Sequence, residues 1–274
     1  MKCKAIVSAS LFALLLMTGC GNKPLITGEV FDGFGDPLKD AVVAIESTTF
    51  KTTTDAGGKY SVEYVPGKVR LRITKDGYTA ADASFDIAAA STYPAQRVTL
   101  YKIPPQRGLF LFAQSDYVQI ARGRVNQQLK KTEVSLMDPN FYSLMATYGG
   151  DKHEDLFSAI GGFTDVPAGT KIRFLAKDEQ KSDSQPLFKL NDDGLILTRE
   201  YFVSSHKDKY QTLSYEEKQL GNGTVLREVT LERGRYAFVT LANDVKQGRD
   251  SLGSGVSFGR SNPLADPIYL FEVK

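Results

Sequence analysis

The feature that most constrains this chain is an alternation of apolar and polar residues with period two, broken at short intervals by turn-forming residues. Ile26, Gly28 and Val30 fall on one side of an extended chain, as do Ala41, Val43 and Ile45, then Tyr60 and Val62, then Val69, Leu71 and Ile73. Arg70, Arg72 and Thr74 take the opposite side of the last run. Successive side chains of a strand point to opposite faces, so the pattern predicts half-buried antiparallel strands. Asp32-Gly33-Phe34-Gly35-Asp36-Pro37 reads as a loop, and Asp55-Ala56-Gly57-Gly58 and Pro66-Gly67 read as turns. Short strands at this spacing predict a small β-sandwich over residues 25–101.

The same stretch carries motifs in a fixed order. They are Ile26-Thr27-Gly28-Glu29-Val30, Gly35-Asp36-Pro37-Leu38, Ala41-Val42-Val43-Ala44-Ile45, Thr54-Asp55 with Gly58-Lys59-Tyr60, Val65-Pro66-Gly67 and Lys75-Asp76-Gly77-Tyr78. In that order they resemble the carboxypeptidase regulatory-like domain. The resemblance implies a seven-stranded Greek-key sandwich, transthyretin-like and grouped with carbohydrate-binding-like folds. It also implies a domain with no catalytic residues of its own. The matched residues read structurally. Gly28 allows close backbone approach, Pro37 presets a turn, and Gly58 and Gly67 permit turn conformations. Tyr78 reads as a plug at the sandwich edge.

Residues 1–19 read as a secretory signal peptide. Lys2 and Lys4 precede Ala5 to Met17, a stretch without charge and mostly apolar. It is too short for a permanent span, which takes about 20 apolar residues. Leu16-Met17-Thr18-Gly19-Cys20 resembles the lipobox of bacterial lipoproteins, with Met17 where leucine is usual. The resemblance implies cleavage between Gly19 and Cys20, a diacylglycerol on the Cys20 sulfur, and acyl chains such as palmitate. The alternative is an ordinary signal peptide with a chance cysteine. Cysteine usage fits the lipid: Cys3 leaves with the signal, so Cys20 is the single cysteine of the mature chain and no internal disulfide is open to it. Several acyl chains hold a protein far more firmly than one, at about 0.8 kcal/mol per buried methylene. Gly21 stands where an inner-membrane Gram-negative lipoprotein carries aspartate, which implies outer-membrane sorting in a Gram-negative host. Residues 20–24 form a tether whose last four residues reach roughly 14 Å when extended.

The mature chain of about 255 residues suits two medium domains. The full chain has 34 basic and 32 acidic residues, and losing Lys2 and Lys4 leaves it formally neutral. Nucleic-acid binding is not indicated, since it shows as a basic excess. Lys102-Ile103-Pro104-Pro105-Gln106-Arg107-Gly108 reads as a linker, because two prolines cannot continue a ladder. Residues 109–274 read as a second β-rich domain, starting with a strand at Leu109-Phe110-Leu111-Phe112. Two hairpins are expected. One joins Leu187–Leu190 to Leu195–Thr198 through Asn191-Asp192-Asp193-Gly194, and the other turns at Gly221-Asn222-Gly223 before Val225 to Leu231. Gly234 to Val239 and Pro267 to Val273 read as late strands. One or two short helices are expected as well. Asp138 caps the first, with Pro139 at its first position and Phe141, Leu144, Met145 and Tyr148 on one face. The second runs from His153 to Ile160.

The chemistry-bearing patterns are weak. Gly255-Val256-Ser257-Phe258-Gly259 has the spacing of a nucleophile elbow, but loop-forming residues flank it where a strand and a helix are needed. Both histidines, His153 and His206, precede it. A zinc site would need those two distant histidines with a carboxylate, and His153-Glu154-Asp155 has no ligand spacing. Asp32, Asp36, Asp55, Asp192 and Asp193 lie in turns and match no calcium loop. The chain has no tryptophan, so a sugar-stacking platform would use Tyr60, Tyr64 or Tyr78, for which packing is the simpler role. Asn222-Gly223-Thr224 fits a glycosylation sequon and reads as a turn. No phosphate-cradling loop is present.

The sequence therefore predicts a non-enzymatic lipoprotein of the cell envelope, with no cofactor and no metal. Its expected contacts are the membrane, through lipid on Cys20, and an envelope protein or a glycan. A carbohydrate-binding lipoprotein and a hydrolase with an unfamiliar site in 109–274 are the alternatives.

Overall fold

The computed structural model describes residues 24–87, 92–94, 97–132, 152–169, 171–177, 185–201, 206–241 and 264–274. The signal peptide, Gly19, Cys20, the helix expected after Asp138 and the Gly255–Gly259 motif lie outside the described residues.

The amino-terminal unit comprises β1 (Leu25–Asp32), β2 (Val42–Ile45), β3 (Lys51–Thr53), β4 (Lys59–Glu63), β5 (Gly67–Thr74), β6 (Ala81–Ile87), β7 (Tyr93–Pro94) and β8 (Val98–Leu100). In one sheet β1 lies antiparallel to β4 and parallel to β7 and β8. The other has the order β3-β2-β5-β6, antiparallel throughout. The alternation in the sequence is the burial pattern of β5: Val69, Leu71 and Ile73 are buried. Arg70 and Arg72 stay outside and pair with Glu46, Arg70 also with Asp82. Residues facing inward from both sheets, among them Ile26, Val30, Val43, Tyr60, Val62 and Leu100, close one core. Each fully buried side chain of this size contributes about 1.5–3 kcal/mol. There are eight strand segments where seven are expected. β7 and β8 run along the same strand, against Ile26–Thr27 and then Val30–Asp32. Pro94 has no N–H to donate to this ladder.

The second unit comprises β9 (Gly108–Ala113), β10 (Asp116–Gln119), β11 (Ala121–Thr132), β12 (Lys152–Ile160), β13 (Thr164–Val166), β14 (Ile172–Lys177), β15 (Leu187–Lys189), β16 (Leu195–Tyr201), β17 (His206–Tyr210), β18 (Thr212–Leu213), β19 (Glu216–Gly221), β20 (Thr224–Val229), β21 (Gly234–Leu241) and β22 (Leu264–Val273). A five-stranded sheet has the order β10-β9-β14-β20-β19. A nine-stranded sheet has the order β17-β16-β12-β11-β22-β21-β15-β18, with β13 beside β22. β21 and β22 are buried on both faces. Tyr236, Phe238, Tyr269 and Phe271 pack toward the five-stranded sheet. Ala237, Val239, Ile268 and Leu270 pack toward Phe157, Ile196 and Leu197. Those last three come from β12 and β16, so the larger sheet curls over its own far strands. Burial on both faces is why Ile268-Tyr269-Leu270-Phe271 is a continuous apolar run rather than an alternation.

Two expectations are corrected. His153 to Ile160 is no helix. It lies within β12, paired with β11 on one side and β16 on the other. A short stretch that buries a carboxylate, Asp155, breaks the strand alternation, and pairing with two distant strands decides it. The hairpin expected at Asn191–Gly194 has its turn, with Gly194 N–H donating to the Asn191 carbonyl at 3.0 Å and Leu195 N–H to Asn191 Oδ1 at 2.8 Å. Its flanking strands do not pair with each other. β15 joins β18 and β21, while β16 joins β12 and β17. The hairpin at Asn222 forms as expected, with β19 antiparallel to β20 and Gly221 opposite Thr224.

Candidate functional site

The two units meet across aromatic side chains drawn from four separate segments. Asp32 Oδ1 accepts N–H bonds from Phe34 and Asp36, each at 2.9 Å. This turn carries the Phe34 ring onto the second unit, 5.4 Å from Phe112 and 5.1 Å from Tyr117 between centroids. Tyr101 meets Phe112 edge-on at 6.0 Å, and Phe112 meets Tyr117 the same way at 5.0 Å. Such pairs contribute about 0.5–1.5 kcal/mol each beyond their burial. Arg173 of β14 donates to the Gly33 carbonyl at 3.0 Å, and its Cζ lies 4.6 Å from the Phe112 centroid. Gly33 is required here: a Cβ would stand 2.7 Å from Tyr101 Cδ1 and 2.9 Å from Phe112 Cε1.

The segment between the units is bound to both. Thr79 N–H donates to the Tyr101 carbonyl at 2.8 Å, and Ile103 N–H to the Gly77 carbonyl at 2.8 Å. From the other side Lys177 Nζ donates to the Pro104 carbonyl at 2.8 Å. The chain across the joint is thus a bolted connection rather than a free spacer. The Tyr117 hydroxyl is buried in this joint with no hydrogen-bond partner among the described residues. Burial, and then the Asp32 charge, push it well above the usual phenol range.

Beside the joint lies an open cleft of about 610 Å³, lined by Gln106, Arg107, Gln119, Ile120, Ala121 and Arg122. That volume lies within the ordinary range of ligand sites, about 300–1,000 Å³. Among the described residues two arginines and two glutamines line it, with no carboxylate. Arg122 Nη2 donates to the Arg107 carbonyl at 2.8 Å, and Arg122 Cζ sits 5.9 Å from the Tyr269 ring centroid. The cleft can hold an anionic or hydroxyl-rich ligand through hydrogen bonds. Among the described residues its lining is two arginines, two glutamines, Ile120 and Ala121.

The residues weighed from sequence lie elsewhere. The backbone register sets His153 opposite Lys131 and His206 opposite Tyr201, on strands separated by β16. Among the described residues no three His, Cys, Asp or Glu side chains gather to hold a metal. Asp55 Oδ1 accepts from Gly57 N–H at 2.9 Å and Lys59 N–H at 2.8 Å, so it builds a turn as Asp32 does. Tyr60 and Tyr64 are 5% and 3% exposed and belong to the core, and Tyr78 packs against it. Tyr60 and Tyr64 thus take the packing role, and Tyr78 is half-buried at the edge of that core. The Tyr60 hydroxyl lies under Gly28, where a Cβ would come within 2.6 Å of it.

Sequence reading missed a buried charge. Arg227 in β20 is 0% exposed. Its Nε donates to Glu217 Oε2 at 3.2 Å and its Nη1 to Gln185 Oε1 at 2.5 Å. Its Cζ also faces the rings of Tyr215 and Phe238 at 5.6 and 5.2 Å. Arg227 occurs inside Val225-Leu226-Arg227-Glu228-Val229, where alternation gave no sign of a buried cation.

The eight-strand unit, with its two sheets and single core, ends at Tyr101, where the joint begins. Residues 25–101 match the carboxypeptidase regulatory-like domain. No curated protein matches the chain. Three solved structures are similar to the chain at low identity. A type II cohesin–X-dockerin complex from Acetivibrio cellulolyticus is 18% identical, with 29% of this chain and 58% of that chain covered and a TM-score of 0.26. A candidate carbohydrate-binding protein from Bacteroides uniformis is 11% identical, covering 91% of this chain and 98% of that one, at a TM-score of 0.22. The TIE protein of Bacillus anthracis is 9% identical, covering 92% of this chain and 48% of that one, at 0.26. The chain spans 58% of the length of the cohesin–dockerin chain it matches.

Proposed function

We propose that this protein is a lipid-anchored, non-catalytic component of the cell envelope that binds or assembles with another envelope component. Residues 20–24 are the tether in this reading, 25–101 the carboxypeptidase regulatory-like domain, 102–108 the connection and 109–274 the second domain. The observation that carries the binding role is the bolted joint. Two β units held by Phe34, Phe112, Tyr117 and Arg173 present fixed surfaces, and a fixed surface loses less entropy on binding than a mobile one. The anchor rests on Leu16 to Cys20, and in a Gram-negative host Gly21 supports the outer membrane. A short tether keeps the first domain near that membrane. A carbohydrate ligand is the second reading, favoured by the hydrogen-bonding lining of the cleft.

The anchor is tested by fatty-acid labelling in cells. Wild type incorporates label and Cys20→Ala does not; labelling that persists in Cys20→Ala contradicts the anchor. The non-catalytic role is tested by screening the purified chain against peptide, ester and glycoside substrates. Turnover abolished by Ser257→Ala or His153→Ala would replace this reading with a hydrolase.

A further inference from the structure

We infer that the cleft beside the joint binds an acidic saccharide, with Arg122 holding its carboxylate. The inference rests on the reading of the chain as an envelope binding module and adds the ligand class. Arg122 is aimed in advance by its bond to the Arg107 carbonyl and by the Tyr269 ring. A guanidinium has five donors in a planar fork, and this bond uses one of them. The fork matches the two oxygens of a carboxylate. Gly108 keeps the space open: a Cβ there would lie 3.0 Å from Gln119 Nε2 and 3.5 Å from Arg122 Nη2. The amides of Gln106 and Gln119 each donate and accept, which suits neighbouring sugar hydroxyls. Ile120 is buried, so the lining presents little apolar surface to a peptide side chain. A ligand that offers many hydroxyls and one carboxylate fits this lining best.

The full-length chain, purified in detergent, is titrated by calorimetry with a hexuronate trisaccharide, with the same sugar after reduction of its carboxyls, and with inorganic phosphate. The hexuronate is expected to bind, and the reduced sugar to bind about tenfold or more weakly. Arg122→Gln should lose about tenfold or more with an unchanged unfolding midpoint, and the exposed Gln119→Ala should lose severalfold. Added salt should weaken the hexuronate complex. Equal binding of both sugars, phosphate competing as well as the hexuronate, hexuronate binding indifferent to Arg122→Gln and Gln119→Ala, or no binding would each overturn the inference. A chain that engages an envelope protein in cells yet binds no acidic saccharide loses this inference and keeps the broader reading. A chain that binds the saccharide and cleaves it keeps the cleft and loses the non-catalytic reading.

Discussion

Tyr60 and Tyr117 each hold a hydroxyl away from water with no partner among the described residues to receive its proton. The cost appears in their ionisation. Burial pushes Tyr60 up to about 12 from its ordinary 10.0. The neutral phenol is the form that fits the fold, so its contribution is complete below pH 10 and is lost as pH rises through about 12. A shift of two units corresponds to roughly 3 kcal/mol. Thermal unfolding followed from pH 9 to pH 12 should show the midpoint falling over that window, and Tyr60→Phe should flatten the fall. Arg227 is a buried charge that is paired. Arg227→Ala removes the donor to Glu217 Oε2 and Gln185 Oε1 and should cost about 3–5 kcal/mol in denaturant unfolding. A loss under 1 kcal/mol would mean that this network holds little. Thr54 is a smaller clamp of the same kind. Its Oγ1 donates to the Leu38 carbonyl at 2.6 Å and accepts from Ala41 N–H at 2.8 Å. Thr54→Val keeps the volume and should cost about 1–3 kcal/mol.

Elements were legible in the sequence where one face meets water, and illegible where both faces are covered. β4 and β5 could be read residue by residue, because Val62, Val69, Leu71 and Ile73 alternate with exposed neighbours. β12 could not. Asp155 is buried and accepts from Gln127 Nε2 at 2.9 Å, which puts a carboxylate where alternation expects an apolar residue. The Asn191–Gly194 turn shows a different limit. Turn chemistry fixes a change of direction, whereas pairing partners are fixed by strands far away in the chain. The strand assignment of β12 has a direct check. Ser158 faces Asn126 on one side and Leu195 on the other. Proline there removes a ladder donor from an interior strand, so Ser158→Pro should cost about 1–3 kcal/mol or more and weaken the second unit selectively. A loss under 1 kcal/mol would contradict the interior placement of β12.

At the scale of the molecule, the joint decides whether the chain acts as one body or two. Its members, Phe34, Tyr101, Phe112, Tyr117 and Arg173, are spread over 140 residues, and none belongs to a recognisable motif. The prolines of 102–108 read as a linker, and nothing local revealed that Ile103 N–H donates to Gly77 of the first unit while the Pro104 carbonyl accepts from Lys177 of the second. Phe34→Ala combined with Arg173→Ala should separate one unfolding transition into two and enlarge the radius of gyration in solution scattering. The double variant keeps both cores, so each unit should still unfold cooperatively. The cleft was equally hidden, because Gln106 and Arg107 precede β9 whereas Gln119 and Arg122 flank the β10–β11 bend. The measurement that bears most directly on the binding role is photo-crosslinking in living cells, with the crosslinker at Gln119 in the anchored chain and at exposed Val65 as control. One reproducible envelope component captured from Gln119, absent from Val65 and lost in the Phe34→Ala, Arg173→Ala double variant, is the expected result. No captured component from a well-expressed, lipid-labelled chain would contradict it.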